Sequence, residues 1–423
     1  MIKQEQKLLW LISVKWKKSD EVIFLKALAK SFMCVAMAAY SAVAFTGCGT
    51  DSQTTDTTAP QTTNSTGAST QILTTASATA DEVPTNPVFN YAKLKQDSDT
   101  VMAQFDNALV KNKFRGTVYY KIGNDFEYIG NNGYADKGSH TDNSLNTNYY
   151  VGSLTKQFTA AAIMLLQEQG KLSTSDTLDK YYSDYKYGSD ITIRNLLTMT
   201  TGLPDYLGKS NESIRANSSL YDVADDKSAK ENHSVIMKWI FSQDVDKEKI
   251  DEFKYSNSDY FILGDIIEKT SGKSYEDFLK ENIFEPLSMT STTFEKTDQL
   301  ATGYQDIYDD EWNLYPGVAY SSMGLISNLN DLLKWTDALT DTQFLTAESR
   351  EEMFTPYKSG FAYGLYVDEY GNYYNETSFY RFNAKFLFAQ DQSKVFIAFS
   401  NYTQSNPKNI NQKLDEILQP YLK

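Results

Sequence analysis

Between Phe89 and Lys111, the apolar residues Leu94, Val101, Met102, Phe105 and Leu109 recur near helical spacing, and a helix is predicted there. The period then shortens. Two β-rich runs, residues 116–121 and 126–129, flank Gly123, Asn124 and Asp125 and predict a hairpin. From Ser153 a strongly apolar helix is expected to about Gln169, with Gly170 as its C-terminal stop. Short helices are expected over 191–199 and 234–241. A helical pair, 259–270 and 275–283, is joined by Ser271, Gly272, Lys273 and Ser274. Another helix follows Asn330 through Leu339. Strand patterns return at 361–367, 373–379, 385–389 and 395–399. A last amphipathic helix follows Pro407, a residue suited to a first helical position. Strands therefore lie at both ends and helices fill the middle. That order predicts one α+β domain, residues 88–423, with a helical subdomain inserted at roughly 173–315. No internal repeat is visible.

The first 87 residues follow other rules. Lys26 and Lys30 precede an apolar run from about Ser31 to Phe45, short for a membrane span and typical of a signal h-region. The run ends at Phe45, Thr46, Gly47 and Cys48, which resembles the lipobox of bacterial lipoproteins, where the Cys becomes the lipidated first residue. Phe45 stands where that pattern more often has Leu, and the stretch before Lys26 is long for an n-region. Residues 1–48 are read as a signal peptide with Cys48 as the lipidation site. An uncleaved anchor and a true start nearer Met33 stay open as alternatives. Residues 49–87 are rich in Thr, Ser, Ala, Asp and Gln, cannot bury a core, and read as a disordered tether. The expected location is the extracellular face of a bacterial cell membrane.

Composition narrows the partners. The chain has 423 residues, 41% hydrophobic and 14% aromatic, enough for a substantial core. Net charge is −15, and residues 1–48 carry seven Lys against two Glu and one Asp, so the remainder holds −15 − 4 = −19. That acidity argues against nucleic acid as a partner. Cys34 and Cys48 are the only cysteines, so no disulfide framework or Cys-based metal site exists downstream. His140 and His233 are the only histidines, too few and too isolated for a zinc site. No metal, nucleotide or redox cofactor is implied, and no obligate protein partner is evident.

The candidate chemistry lies in Gly152, Ser153, Leu154, Thr155 and Lys156. Ser153 and Lys156 are three residues apart at a helix start, so both project from one face. A hydroxyl beside an amine can become an activated nucleophile, the amine taking the proton. An ordinary N-cap serine fits the same description, and Ser183 to Lys186 repeats the spacing without other support. Tyr255 and Asn257 form a second element: a phenol to relay a proton and an amide to orient substrate or lysine. Tyr370 with Asn372, and Tyr373 with Asn375, share that spacing.

Residues 150–172 closely resemble serine hydrolases of the class C β-lactamase and penicillin-binding-protein superfamily. Further matches follow in order: residues 191–206, residues 255–264 with Tyr255 and Asn257, residues 285–289, and the segment from Ser322 and Gly324. The resemblance spans roughly 114–402. It implies a five-stranded antiparallel sheet flanked by helices, with an inserted all-helical subdomain. It also implies Ser153 as acyl-accepting nucleophile, Lys156 as base partner, Tyr255 as proton shuttle to the leaving group, and Asn257 as contact to substrate or Lys156. Partial burial would lower the Lys156 pKa. Two backbone N–H groups, one from Ser153 and one from the edge strand of the third motif, would hold the oxyanion.

The third motif departs from the family. Relatives carry Lys or His, one further residue, then Gly. Counting back from the terminal strands, the matching positions are Asn375, Glu376 and Thr377, followed by Ser378. Asn375, Thr377 and Ser378 are taken as substrate-binding candidates. No cation or Gly is present among them. Tyr380, Arg381 and Phe382 replace a usual Pro-Gly-Phe, and Met199 stands where relatives usually have His. Three consequences are expected: weaker binding of a substrate carboxylate unless Arg381 or Lys385 substitutes, a cleft narrowed by Thr377, and repulsion of anions if Glu376 faces inward. The first reading is a membrane-tethered serine hydrolase acting through an acyl-enzyme on an ester or amide, peptide-like or cell-wall derived. The second is a binding protein of this fold with impaired turnover, and the third a structural envelope protein.

Overall fold

In the computed structural model, described over residues 87–207, 229–305, 318–341 and 343–423, the long strand-forming stretches assemble into one six-stranded sheet with both faces covered, beside two short two-stranded pairings. Its strands are β1 (Gly116–Ile122), β2 (Phe126–Asn132), β3 (Tyr366–Val367), β4 (Tyr373–Phe379), β5 (Phe382–Phe388) and β6 (Lys394–Ser400). The order is β2-β1-β6-β5-β4-β3, antiparallel throughout. The five long strands are those expected. The sixth, β3, is a two-residue edge strand that covers only Tyr373 and Tyr374 of β4. Gly364, with φ +80°, and a bridge from Phe361 to Tyr366 shorten the strand expected over 361–367.

Each face of the sheet has its own core. On one, Val118, Tyr120, Ile122, Phe396 and Ala398 pack against Leu94, Val101, Phe105 and Leu109 and against Ile410, Leu414 and Leu418. These come from α1 (Tyr91–Gln96) and α2 (Ser98–Lys111) near the start, and from the C-terminal helix Pro407–Leu418. The single helix expected over 89–111 is split at Asp97. The start and end of the domain meet: Asn90 N–H donates to the Tyr421 carbonyl at 2.7 Å, and Lys423 N–H to the Val88 carbonyl at 2.9 Å. On the other face, Tyr119, Phe386, Phe388, Ile397 and Phe399 belong to a larger core that contains Phe158, Ile163, Leu263 and Trp335.

The helix α3 (Thr155–Glu168) runs through that larger core, with every residue from Thr155 to Met164 buried. Beyond it the described part of 173–315 holds α4 (Ile193–Leu197), α5 (Ala229–Ser242), α6 (Asn257–Ser271) and α7 (Tyr275–Leu279), with a π turn at Lys280–Phe284. Then follow α8 (Tyr320–Met323), α9 (Leu329–Thr340) and α10 (Ala347–Phe354). The expected leader, Cys48 and all of the tether but Pro87 lie outside the described residues. Among the described residues no helix is long and apolar enough to cross a membrane.

Candidate active site

Ser153 lies in a 3-10 turn, Gly152–Leu154, that leads directly into α3. The turn begins on Gly152 with φ +53°, a conformation that favours glycine. One turn later Lys156 points into the core seam and is fully buried. Tyr255 precedes α6. The α6 start is fixed by Ser256, whose Oγ accepts the Asp259 N–H at 3.2 Å, so Asn257 opens the helix. A fourth segment, α8, brings the Ser322 carbonyl alongside.

Lys156 Nζ contacts three acceptors: Asn257 Oδ1 at 2.8 Å, the Ser322 carbonyl at 2.9 Å and Ser153 Oγ at 3.3 Å. A neutral amine has two N–H bonds. Those two satisfy the shorter contacts, and the lone pair is left for Ser153 Oγ. Desolvation lowers the Lys156 pKa to about 7, while the nearby carboxyls of Asp205 and Asp259 act to raise it. Both protonation states are thus accessible near neutrality. Ser153 Oγ lies 2.6 Å from Tyr255 Oη. Burial pushes the Tyr255 phenol well above its ordinary value, so it is protonated and donates to Ser153 when Ser153 donates to Lys156. The ammonium form of Lys156 also sees the Tyr255 ring at 4.9 Å.

Two residues behind these were not singled out from the sequence. Asp205 accepts from Asn257 N–H at 3.1 Å and from Asn257 Nδ2 at 3.2 Å, which turns the Asn257 carbonyl oxygen toward Lys156. Asp259 is buried, accepts from Thr201 and Ser256 at 2.9 Å each, and burial holds its carboxyl well above the usual carboxylate range. Asp205 lies inside the matched segment 191–206, which was the only signal for it. Met199, in place of a His, has φ +54° and its sulfur accepts the Ser256 N–H at 3.3 Å.

The third-motif positions divide between the two faces of the sheet. Thr377 faces the nucleophile, and its Oγ1 accepts the Ser153 N–H at 3.1 Å. Asn375 faces the same way but lies beneath the cleft: its Oδ1 accepts from Gln157 Nε2 at 2.5 Å and its Nδ2 donates to the Gly364 carbonyl at 3.0 Å. With both ends of its amide bonded within the protein, Asn375 is corrected to a supporting residue. The Ser378 side chain is corrected too, since it points to the far face and donates to Asn383 Oδ1 at 2.5 Å. Its backbone is placed differently. Tyr380 and Arg381 form a two-residue turn with φ +46° and +68°, so Phe379 and Phe382 bond to each other and Thr377 bonds to β5. Ser378 N–H therefore points to the opposite edge, the side where Asp368 N–H meets the Asn372 carbonyl and which β3 leaves uncovered. Glu376 is on the far face, ion-paired with Lys385 at 2.9 Å and Lys408 at 3.2 Å. It does not confront an anion in the cleft, and Lys385 does not replace the missing cation.

Other spacings carry no such assembly. Lys186 bonds Asp244 at 2.5 Å, and Ser183 donates to Asp184. His233 lies 3.3 Å from Asp265, near Glu268, and Asp265 also accepts from Tyr182 at 2.5 Å with Lys269 at 3.6 Å. A groove of about 1000 Å³, lined by Lys385, Lys408 and Asp415 among others, contains none of the Ser153 cluster.

An antiparallel sheet backed by terminal helices, with a serine–lysine–tyrosine cluster on its other side, is the architecture of the β-lactamase and penicillin-binding-protein-like serine hydrolases. The chain belongs to the Beta-lactamase family, whose model matches residues 104–418. It is 33% identical over 296 residues to the protein of Bacillus subtilis (strain 168) named penicillin-binding protein PbpX, covering 68% of this chain and 70% of that one. Two solved structures share the fold. A penicillin binding protein from Bacillus halodurans has TM-score 0.64 and 23% identity, covering 74% of this chain and 98% of its own. D-amino acid amidase from Ochrobactrum anthropi, in complex with D-phenylalanine, has TM-score 0.63 and 20% identity, covering 76% and 98%.

Proposed function

We infer that this is a membrane-tethered, extracellular serine hydrolase that works through an acyl-Ser153 intermediate. The observation that carries the reading is the Lys156 amine, whose two short contacts leave its lone pair for Ser153 Oγ. In the first step, Ser153 Oγ bonds to a substrate carbonyl carbon while its proton passes to neutral Lys156. The carbonyl electron pair moves onto oxygen, beside the Ser153 and Ser378 N–H groups. Collapse of this adduct expels the amine or alcohol, which takes a proton through Tyr255. Water then attacks the acyl carbon and the proton returns to Ser153 Oγ. The substrate class is an ester or amide, and kinship with a penicillin-binding protein favours a peptide or cell-wall-derived one. The N-terminal leader ending at Cys48 supports lipid anchoring.

A second reading, a binding protein of this fold with impaired turnover, is favoured by one observation: Thr377 Oγ1 already holds the Ser153 N–H. Intact mass after incubation with a fluorophosphonate and, separately, a β-lactam separates the two. An adduct on the wild type that is missing in Ser153→Ala is expected. A folded wild-type protein that forms no adduct with either reagent refutes the hydrolase reading.

A further inference from the structure

Position 377 carries a β-branched residue where an uncluttered cleft needs none. Acyl transfer at Ser153 requires the developing oxyanion to lie about 2.7–3.1 Å from a donor such as the Ser153 N–H. Thr377 Oγ1 sits at 3.1 Å from that nitrogen. A substrate oxygen bonded to the same N–H would overlap it. The side chain is seated against Gly152: a Cβ there would lie 2.4 Å from Thr377 Oγ1 and 3.1 Å from its Cγ2. The bare backbone of Gly152 is what admits it.

We propose that Thr377 is a plug built into the oxyanion site, and that Ser153 is acylated only from the Thr377 rotamer that lifts Oγ1 off the Ser153 N–H. The proposal rests on the hydrolase reading above. Three staggered χ1 positions exist. One turns Oγ1 toward Ser153, one turns the methyl there, and one turns the hydrogen there. Only the third clears the space. Threonine is stiff at χ1, and the bonded rotamer is held by Ser153, so the open one is the minor state and the observed rate is scaled by its fraction. When it is open, the Ser153 N–H joins the Ser378 N–H on the uncovered edge of β4. The gate therefore lies at the reacting atoms.

The test is the second-order rate of Ser153 phosphonylation in the full-length chain by a neutral fluorophosphonate. In that step the Ser153 Oγ–P bond forms, the P–F bond breaks, fluoride leaves and the proton passes to Lys156. Thr377→Gly, Thr377→Ala and Thr377→Ser are compared with wild type, each checked for cooperative thermal unfolding. Loss of one oxyanion donor costs about 10²–10³-fold elsewhere. Freeing an obstructed one is expected to return about 10–100-fold in Gly and Ala. Ser keeps the oxygen and does not share that gain. Ala preserves a Cβ and keeps the test decisive if Gly fails to fold. Labelling of the Ala variant alone would refute hydrolysis by the natural chain, and the plug's open rotamer with it. Wild-type labelling with no gain, or a loss, in Ala overturns the plug and leaves the hydrolase reading standing; a loss would mean that the threonine hydroxyl itself serves the oxyanion. No labelling of any folded form overturns both.

Discussion

Replacing Lys156 by Met tests the buried amine through stability alone, without a substrate. Lys156 is fully buried, and desolvation brings its pKa from 10.5 to about 7 against the opposing pull of Asp205 and Asp259. In the unfolded chain it returns to its ordinary value. Between those two pH values the unfolded state holds a proton that the native state has shed, so native stability rises with pH at up to about 1.36 kcal/mol per unit. Below pH 7 both states are protonated and the cost of the buried ammonium is complete. The gap between 10.5 and about 7 makes that cost about 5 kcal/mol. Methionine has no such term. It does leave Asn257 Oδ1 and the Ser322 carbonyl without their donor, at about 1–3 kcal/mol each. Relative to wild type, Lys156→Met is therefore expected to be at its most stable near pH 6 and to lose ground as pH rises. The difference in unfolding free energy between the two proteins should change by about 4 kcal/mol between pH 6 and 10. Urea melts of both full-length chains at one-unit pH steps read it, and titrating groups that do not interact with Lys156 cancel in the difference. A difference constant to within about 1 kcal/mol across that range would refute a lowered Lys156 pKa. The neutral base would go with it.

Four further outcomes follow from the site and its supporting residues. The rate of Ser153 phosphonylation should rise about tenfold per pH unit at acid pH and level off above about 7, as Lys156 becomes neutral. Asp205→Asn removes a carboxyl that raises the Lys156 pKa, so the midpoint of that profile should move to lower pH; a shift upward would contradict the electrostatic assignment. Tyr255→Phe should slow acylation about a hundredfold or more with little change in melting temperature, because Ser153 keeps its contact with Lys156. Asn375→Ala should cost about 1–3 kcal/mol for each of the two groups it strands, the Gln157 amide and the Gly364 carbonyl, with KM for an ester substrate unchanged in the folded fraction. A raised KM at full stability would return Asn375 to the binding cleft.

The parts of this fold that could be read from the sequence are those with a clean local signal. The strand Tyr373–Phe379 lies where its β-rich run placed it, and α3 begins beside Ser153 and ends before Gly170 because an apolar helix meets a left-handed stop. The helix Ala347–Phe354 was not legible: apart from Met353 and Phe354 its apolar positions are scarce, and Thr346 caps it locally. The faces of β4 could not be told apart either. Both sides of the sheet are covered, so polar and apolar residues do not alternate, and nothing in Asn375 to Ser378 says which pair looks at Ser153. Parity came from the turn at Tyr380 and Arg381, whose left-handed backbone no glycine announces. The burial of Lys156 was likewise invisible, because Ser322 and Asn257 reach it from segments far away in sequence, with Asp205 behind Asn257.

That burial also bears on whether the cluster is more than structural. A polar network kept for stability alone would use groups that the interior holds cheaply, and well-packed apolar residues often replace buried charges without loss. Here the network is centred on an amine whose charged form the site disfavours, flanked by a phenol that stays protonated and by the buried carboxyl of Asp259, which is raised as well. Each of these shifts comes chiefly from desolvation, so the same burial that weakens the fold at acid pH leaves Lys156 with an accessible neutral form near neutral pH. Thr377 works in the opposite direction. It stabilises the resting site by satisfying the Ser153 N–H, and it does so at the atom where catalysis needs a vacancy. On the hydrolase reading proposed above, a dehydrated Lys156 kept beside Ser153 and Tyr255 is what the chemistry asks for. An active but obstructed site requires both features together, and the Thr377 and Lys156 substitutions separate them experimentally.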